Sequence, residues 1–311
     1  MSQALLAKRQ ASPQITLKSV PLNQKLLADL EKIETLPHLS DTVIKAMTLA
    51  NDPNSTLADM AALICRDTLL AATVLKIANS PVYGGSVPIA DVRLGVNRLG
   101  LRGCANLISS IGLTGLYSKH PLPVRVACET ILRHSLFTAL LASAVNRVLR
   151  LDLQGEEFTG ALLHDIGRLV ICVKAPDHFA AANLSNFDEA ENVCAEERGV
   201  YGTDHCAVGG MFAIKNNLPK ALGRVISNHH TPAREPHFRE LVGLVAFADA
   251  LANHIQSQHN VQKFDLAAAV GFSEMSKGLD RERLSQLREK LPAIAVESVR
   301  EARRLMKTLS P

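Results

Sequence analysis

The sequence predicts an all-α protein, and three observations carry this prediction. Trp is absent and aromatic residues make up 4% of the 311 residues, whereas 47% are hydrophobic, so the core must consist mainly of aliphatic side chains. Such a core is typical of packed helices, because sheets favour aromatic and β-branched residues. Apolar positions recur with helical spacing behind capping residues along most of the chain, and no segment shows the alternating pattern of a strand.

The N-terminal part reads as short helices separated by capping residues and turns. Residues 1–22 are polar and aperiodic, which predicts a flexible arm. Ser40 or Asp41, Thr56 and Asp67 are placed to cap the starts of three helices. We predict helices here over residues 23–34, 41–50, 57–65, 68–79, 89–99 and 102–117.

The second half begins after a linker, His120-Pro121-Leu122-Pro123, and its helices are longer. The predicted ranges are 124–149, 155–173, 187–199, 204–215, 218–229, 238–257, 280–290 and 293–309. The resulting organisation has four parts: the arm (1–22), an N-terminal helical part (23–119), a second helical part (120–259) and a C-terminal helical extension (260–311).

Composition excludes several classes of protein. The net charge is +4, and Lys and Arg are spread along the chain without a compact basic patch, which argues against a nucleic-acid-binding protein. The six cysteines form no CxxC pair, so neither a disulfide framework nor a zinc ribbon is expected. The sequence shows no signal peptide and no apolar run long enough for a bilayer, so we expect a cytoplasmic protein.

The second helical part carries histidines and aspartates inside otherwise apolar stretches. Burying such a group without a partner costs about 2–7 kcal/mol, so several of them are expected to converge on a metal ion. Imidazole and carboxylate donors suit Fe, Mn, Zn, Ni or Co rather than a thiolate site. The candidate metal ligands are His134, His164, Asp165, His205, His229, His230 and Asp249.

Adjacent residues on a helix are about 100° apart, so His164 and Asp165 could point into one cavity that holds two ions. The same geometry applies to His229 and His230. Each residue also has an ordinary explanation, such as a satisfied core histidine or an imidazolium at a helix C-terminus. The remaining histidines lie in polar or loop contexts, where we expect structural or solvent-facing roles.

His134, then His164-Asp165 and a later Asp249 resemble the H…HD…D signature of the HD metal-dependent phosphohydrolase superfamily. With His205 and His229-His230 added, the order looks like the ligand set of HD-GYP cyclic-di-GMP phosphodiesterases. That resemblance implies metal ligation for all seven residues and two or three bound ions in that family. For this chain we expect one or two divalent ions, with Fe, Mn, Zn and Ni as candidates.

The N-terminal part resembles the HDOD domain, the HD-related output domain of bacterial signalling proteins. The resemblance covers residues from about 27 to about 257 and rests on four pieces of sequence: Leu36-Pro37, residues 64–70 (ICRDTLL), residues 74–80 (VLKIANS) and Arg98-Leu99-Gly100. It implies a multi-helical HD-like bundle with an N-terminal helical subdomain.

The sequence departs from the HD-GYP pattern in two places. Arg168 stands where those enzymes have a Lys, and Thr231-Pro232 follows the paired histidines where a GYP element is expected. Two functions therefore stay open. One is a regulatory module that binds a signalling partner. The other is a metal-dependent phosphohydrolase for a nucleotide or cyclic dinucleotide, with Asp165 and Arg168 as catalytic groups and Arg168 neutralising phosphate charge.

Overall fold

The computed structural model describes residues 36–80, 88–153, 155–176, 179, 192–258 and 260–309. These residues form helices, turns and connecting segments without a strand, which confirms the all-α prediction. None of the helices in these ranges combines the length and apolarity that crossing a membrane requires. The predicted arm over residues 1–22 and the helix over 23–34 lie outside the described residues.

The N-terminal helices begin where the capping residues predict. Ser40 accepts a hydrogen bond from the backbone N–H of Val43, and Asp67 accepts from those of Leu69 and Leu70. Thr56 forms a capping box with the helix that it precedes. The helices are α1 (Asp41–Asn51), α2 (Leu57–Ile64), α3 (Thr68–Ala78) and α4 (Val92–Tyr117), and α1, α2 and α3 all pack against α4.

The helices of the second half surround one long central helix. They are α5 (Leu122–Leu149), α6 (Glu156–Leu163), α7 (Ile166–Lys174), α8 (Val193–Tyr201), α9 (His205–Lys215), α10 (Lys220–Asn228), α11 (Arg239–Gln258), α12 (Phe272–Met275) and α13 (Arg281–Leu309). Short 3₁₀ turns cover Pro232–Arg234 and Val261–Lys263. Helix α5 packs against α6, α11 and α13, while α9 lies between α7 and α10.

The structure joins or divides the predicted helices at three places. The two helices predicted on either side of Gly100 form one element, α4, which is kinked at Gly100, where φ is 72°. The two C-terminal helices are likewise one, because α13 continues through Pro292. Proline removes one intrahelical hydrogen bond, but Leu291 and Ala295 beside it are buried, and this packing offsets the loss. In the third place, the single helix predicted over 155–173 is two helices, α6 and α7, separated by a break at His164-Asp165.

A close backbone contact brings α7 against the start of α9. Gly167 lies so near to α9 that a Cβ atom there would overlap the carbonyl oxygen of His205 and lie 2.9 Å from the backbone nitrogen of Gly209. Only a residue without a side chain permits this approach. Gly167, two residues after Asp165, therefore determines how closely His205 approaches the His164-Asp165 dipeptide.

Asn216, at the end of α9, connects the second half to the N-terminal part. Its side-chain oxygen accepts a hydrogen bond from the backbone N–H of Leu39 at 2.6 Å, and its amide donates to the carbonyl of Pro37 at 3.2 Å. Asn216 and Leu39 are buried, so the backbone N–H of Leu39 gains a partner in a region that water does not reach.

Candidate metal centre

All seven candidate ligands converge on one pocket, although they come from separate elements. His134 lies in the middle of α5 and Asp249 in α11, while His205 is the first residue of α9. His164-Asp165 occupies the break between α6 and α7, and His229-His230 follows the last turn of α10. Six of the seven are at most 5% exposed, and His230 is half-buried.

One side of the pocket is formed by His134, His164 and Asp249. The Nε2 atom of His134 lies 2.9 Å from Oδ1 of Asp249, and Nε2 of His164 lies 3.5 Å from the same oxygen. His164 Nε2 is also 3.5 Å from Oδ2 of Asp165. The donor atoms of His134, His164 and Asp165 all lie within 4.8 Å of one another, close enough to share one ion.

The other side of the pocket gathers the remaining histidines around Oδ1 of Asp165. Nε2 of His205 lies 3.4 Å and Nε2 of His229 lies 3.9 Å from this oxygen, and the two nitrogens are 3.3 Å apart. Nε2 of His230 is 3.1 Å from that of His205. Asp165 thus presents one oxygen to each side, as a carboxylate shared by two ions would.

Four of the histidines are oriented by an acceptor at Nδ1. Such an acceptor keeps the proton on Nδ1 and leaves the lone pair of Nε2 directed at the pocket, the arrangement typical of metal-binding histidines. The pairs are His134 with Gln256 Oε1 at 2.7 Å, His164 with the Ala161 carbonyl at 2.7 Å, His205 with Glu197 Oε2 at 2.6 Å and His229 with the Ile226 carbonyl at 3.1 Å.

Several buried donor atoms in the pocket have no hydrogen bond among the described residues. They are Nε2 of His164 and both carboxylate oxygens of Asp165. Leaving such groups unsatisfied in the interior is costly, and a divalent cation at the pocket would satisfy all three. The residues present therefore fit a metal of the nitrogen- and oxygen-preferring kind.

The ionisable groups of the pocket shift one another's pKa away from the ordinary values. Burial alone would raise the pKa of Asp165, but the Arg168 guanidinium and the surrounding imidazoles hold it well below its usual value. Burial and neighbouring imidazoles lower the pKa of His229 and bring that of His230 to about 4. Burial opposes the charged form of His164 too, yet the nearby carboxylates raise its pKa to about 9.

The geometric argument for adjacent ligands on one helix was wrong, although the residues do meet. Asp165 has φ −97° and ψ 16°, outside the helical region, and it starts α7 by accepting from the N–H of Arg168. His229 is the C-terminal cap of α10, and His230 lies beyond it. The chain thus directs these side chains with turns at helix ends rather than with the spacing of a continuous helix.

Sequence reasoning missed Glu197, which lies in α8 and is 1% exposed. Its Oε2 accepts from both the backbone N–H of His205 at 2.8 Å and the ring Nδ1 at 2.6 Å. Glu197 stands in the charged run Glu196-Glu197-Arg198 and carries little local signal, because its role depends on a helix that follows it in the chain.

Arg168 is buried against the carboxylates of Asp165 and Glu197. Its side chain is 1% exposed, and its Nε lies 3.4 Å from Oδ1 of Asp165 and 3.6 Å from Oε1 of Glu197. The guanidinium therefore faces two carboxylates of the protein itself. A role for Arg168 and Asp165 in catalysis stays a prediction.

The segment after His229-His230, where a GYP element was expected, folds around Glu235. This fully buried carboxylate accepts from the backbone N–H groups of His237 and Phe238 at 2.9 and 3.1 Å. Its other oxygen accepts from Arg224 at 2.6 Å and from Asn228 at 2.9 Å. Glu235 thus joins α10 to the start of α11 directly behind the paired histidines.

An all-α bundle with a buried His/Asp pocket of this composition defines a protein of the HD-related class. The family model of the HDOD domain matches residues 36–232, more than half of the chain. The chain belongs to the HDOD domain family.

Comparison with individual proteins agrees with this placement. An uncharacterized protein of Treponema pallidum (strain Nichols) is 26% identical over 229 residues, which are 72% of this chain and 44% of that protein. The chain thus spans less than half the length of this relative.

Solved structures share the fold. An HDOD domain protein of unknown function from Geobacter sulfurreducens has a TM-score of 0.69 and 23% identity, over 88% of this chain and 97% of that one. A candidate phosphohydrolase from Shewanella amazonensis SB2B has a TM-score of 0.68 and 22% identity, over 91% and 98%. A candidate signal transduction protein from Marinobacter aquaeolei VT8 has a TM-score of 0.68 and 20% identity, over 93% and 66%.

Proposed function

We propose that this chain is a bacterial signal-transduction module whose HD-type pocket binds divalent metal and which acts as a regulatory or interaction protein. One observation carries the proposal: the ligand set is complete, yet its side chains are almost inaccessible. Six of the seven ligands are at most 5% exposed, and the guanidinium expected to meet a phosphate is 1% exposed. Such a pocket suits an ion better than a nucleotide.

The metal would be held by His134, His164, Asp165 and Asp249 on one side and by His205, His229 and His230 on the other. A divalent ion bound here would supply Lewis-acid chemistry, and it would also cross-link α5, α9, α10 and α11. In a regulatory module, this cross-link makes the stability of the second helical part depend on metal.

Metal content tests the first half of the proposal. Protein purified anaerobically should contain Fe, Mn, Zn or Ni in near-stoichiometric amounts, and the His164→Ala/Asp165→Ala variant should lose at least one ion per chain. The matched control is His38→Ala/Asp152→Ala, which removes an exposed histidine and an exposed aspartate outside the pocket. Circular dichroism establishes that both variants keep their helices. Wild-type protein without metal would refute the proposal.

A phosphodiesterase assay tests the second half. We expect no turnover of cyclic-di-GMP or of a generic phosphodiester in added Mn²⁺. The position of Asp165 between the two sides of the pocket favours one alternative, a two-metal phosphohydrolase. Turnover that the His164→Ala/Asp165→Ala change abolishes, but its control does not, would replace the regulatory proposal with this one.

Partner binding is proposed to use the N-terminal helices. Leu69 of α3 is 76% exposed, and it borders an apolar groove that also includes Leu70 and Ile111. This surface is separate from the metal pocket, so binding of a signalling partner should survive the His164→Ala/Asp165→Ala change.

A further inference from the structure

Two cysteines that belong to no CxxC pair in the sequence lie close together beside the metal pocket. Cys194 lies in the first turn of α8, and Cys206 is the second residue of α9. Their sulfur atoms are 3.9 Å apart, and neither forms a disulfide. Cys206 is buried and Cys194 is half-buried. The pair adjoins the pocket at the side of His205 and His230.

The sulfurs and two imidazole nitrogens form a compact group of four donors. Nε2 of His205 lies 3.5 Å from Sγ of Cys206 and 3.1 Å from Nε2 of His230. The four ligand atoms of Cys194, His205, Cys206 and His230 all lie within 4.8 Å of one another. Four donors of these types in this volume are the composition of a Cys₂His₂ zinc site.

The spacings agree with a tetrahedron around zinc. With Zn–S bonds of about 2.3 Å and Zn–N bonds of about 2.0–2.1 Å, tetrahedral angles place the sulfurs about 3.8 Å apart, the nitrogens about 3.3 Å apart and a sulfur about 3.5 Å from a nitrogen. The corresponding distances here are 3.9, 3.1 and 3.5 Å. The three remaining donor pairs of the group lie within 4.8 Å.

We propose that Cys194, His205, Cys206 and His230 bind one zinc ion as a closed tetrahedral site next to a separate nitrogen- and oxygen-ligated ion. The inference rests on the proposed metal-binding function of the pocket and assigns the chemistry of its second position. Thiolates select zinc, whereas imidazole and carboxylate donors alone also accept Fe and Mn. The two positions can therefore hold different metals.

This assignment divides the donors between the two ions. Nε2 of His205 has one lone pair, so it cannot bind an ion beside Asp165 while it binds one beside the cysteines. With zinc on the cysteine side, the other ion keeps His134, His164, Asp165, His229 and Asp249. A zinc ion with four protein ligands has no position for a reacting water, so the zinc ion on the cysteine side is structural.

The zinc site would hold α8 in place. Cys194 and Glu197 lie on the same helix, and Glu197 orients the ring of His205 through Nδ1. Zinc would bind the same ring through Nε2 and bind α8 directly through Cys194. The carboxylate that orients His205 and the helix that carries it are then connected through one ion.

Metal analysis of the full chain with a spectroscopic probe tests this proposal. Zinc content should fall by about one ion per chain in Cys194→Ser and in Cys206→Ser, but not in the control Cys65→Ser, which alters an exposed cysteine. In Co²⁺-loaded wild-type protein we expect the near-ultraviolet charge-transfer band of a cobalt–thiolate bond, and we expect both pocket variants to lose it. The wild-type spectrum is informative even if a variant fails to fold.

The outcomes separate this inference from the proposed function. Wild-type protein that binds metal without a cobalt–thiolate band overturns only the zinc site. The same holds if both cysteine variants keep the band and the full zinc content, or if mass spectrometry of anaerobically purified protein finds a Cys194–Cys206 disulfide. Wild-type protein that binds no metal at all overturns both proposals.

Discussion

The carboxylate of Glu197 offers a test of how the pocket holds its ligands. It accepts hydrogen bonds from the backbone N–H and from Nδ1 of His205, at 2.8 and 2.6 Å, and it lies 3.6 Å from Nε of Arg168. Replacing it by Gln keeps the shape and one acceptor oxygen but removes the charge. His205 then loses the anionic partner that orients its ring.

The expected loss follows from these contacts. A residue that orients a metal-binding histidine typically contributes 10- to 100-fold in metal affinity, which is about 1.4–2.8 kcal/mol, and we expect Glu197→Gln to lie in this range. Glu197→Ala should cost more, because two hydrogen bonds to a charged group are worth about 1.5–3 kcal/mol each. Its removal also leaves a buried guanidinium with one carboxylate fewer, so a loss of about 3–5 kcal/mol of stability is expected.

The assay is a competition titration with a metal-binding dye, run beside thermal unfolding of the metal-free proteins. The matched control is Glu196→Gln, which makes the same change at the exposed neighbouring position of α8. We expect weaker metal binding in Glu197→Gln with a smaller change in unfolding temperature than in Glu197→Ala. If Glu197→Gln binds metal as tightly as Glu196→Gln does, the orienting role of this carboxylate is refuted.

Three further predictions concern the framework of the pocket. Gly167→Ala should destabilise the protein by at least about 1–3 kcal/mol in urea unfolding and weaken metal binding, because the new Cβ overlaps the His205 carbonyl. The control Gly115→Ala, whose new Cβ would have nothing within 4 Å, should be neutral or stabilising in the same assay. Asn216→Ala should cost about 1–3 kcal/mol in the same assay, since a buried backbone N–H loses its acceptor; a loss below about 0.5 kcal/mol would contradict this. For Glu235, burial would raise the pKa, but the donated backbone N–H groups and a guanidinium hold it below the ordinary 4.5. Its contribution is therefore present above pH 4.5 and lost as the pH falls through the lowered folded-state pKa, so the stability difference between wild type and Glu235→Gln should shrink in acid; a difference constant with pH would contradict the assignment.

Much of the helical framework could be predicted because its signals are local. Ser40, Thr56 and Asp67 cap helices through hydrogen bonds to backbone groups two or three residues away, so sequence neighbours alone determine them. The candidate ligands were also visible, since a histidine or aspartate in an apolar helical stretch implies a buried partner.

The failures have a common physical cause, which is packing between segments distant in sequence. The break at His164-Asp165 interrupts a stretch whose composition is compatible with one helix, and it coincides with the close contact between Gly167 and the backbone of α9. Conversely, the predicted ranges 280–290 and 293–309 leave a gap at Pro292, but burial of its neighbours keeps α13 continuous. Local propensity loses in both places to tertiary contacts.

The all-α class, the caps of the first helices and the seven candidate ligands could be predicted from the amino-acid sequence, because each depends on side-chain chemistry or on residues within one turn. Three contacts became apparent from the folded structure alone: Asp165 lies between two groups of histidines, Glu197 orients His205, and Cys194 approaches Cys206. These contacts join separate helices, and their distances depend on how closely the helix backbones pack, a quantity that no local pattern encodes.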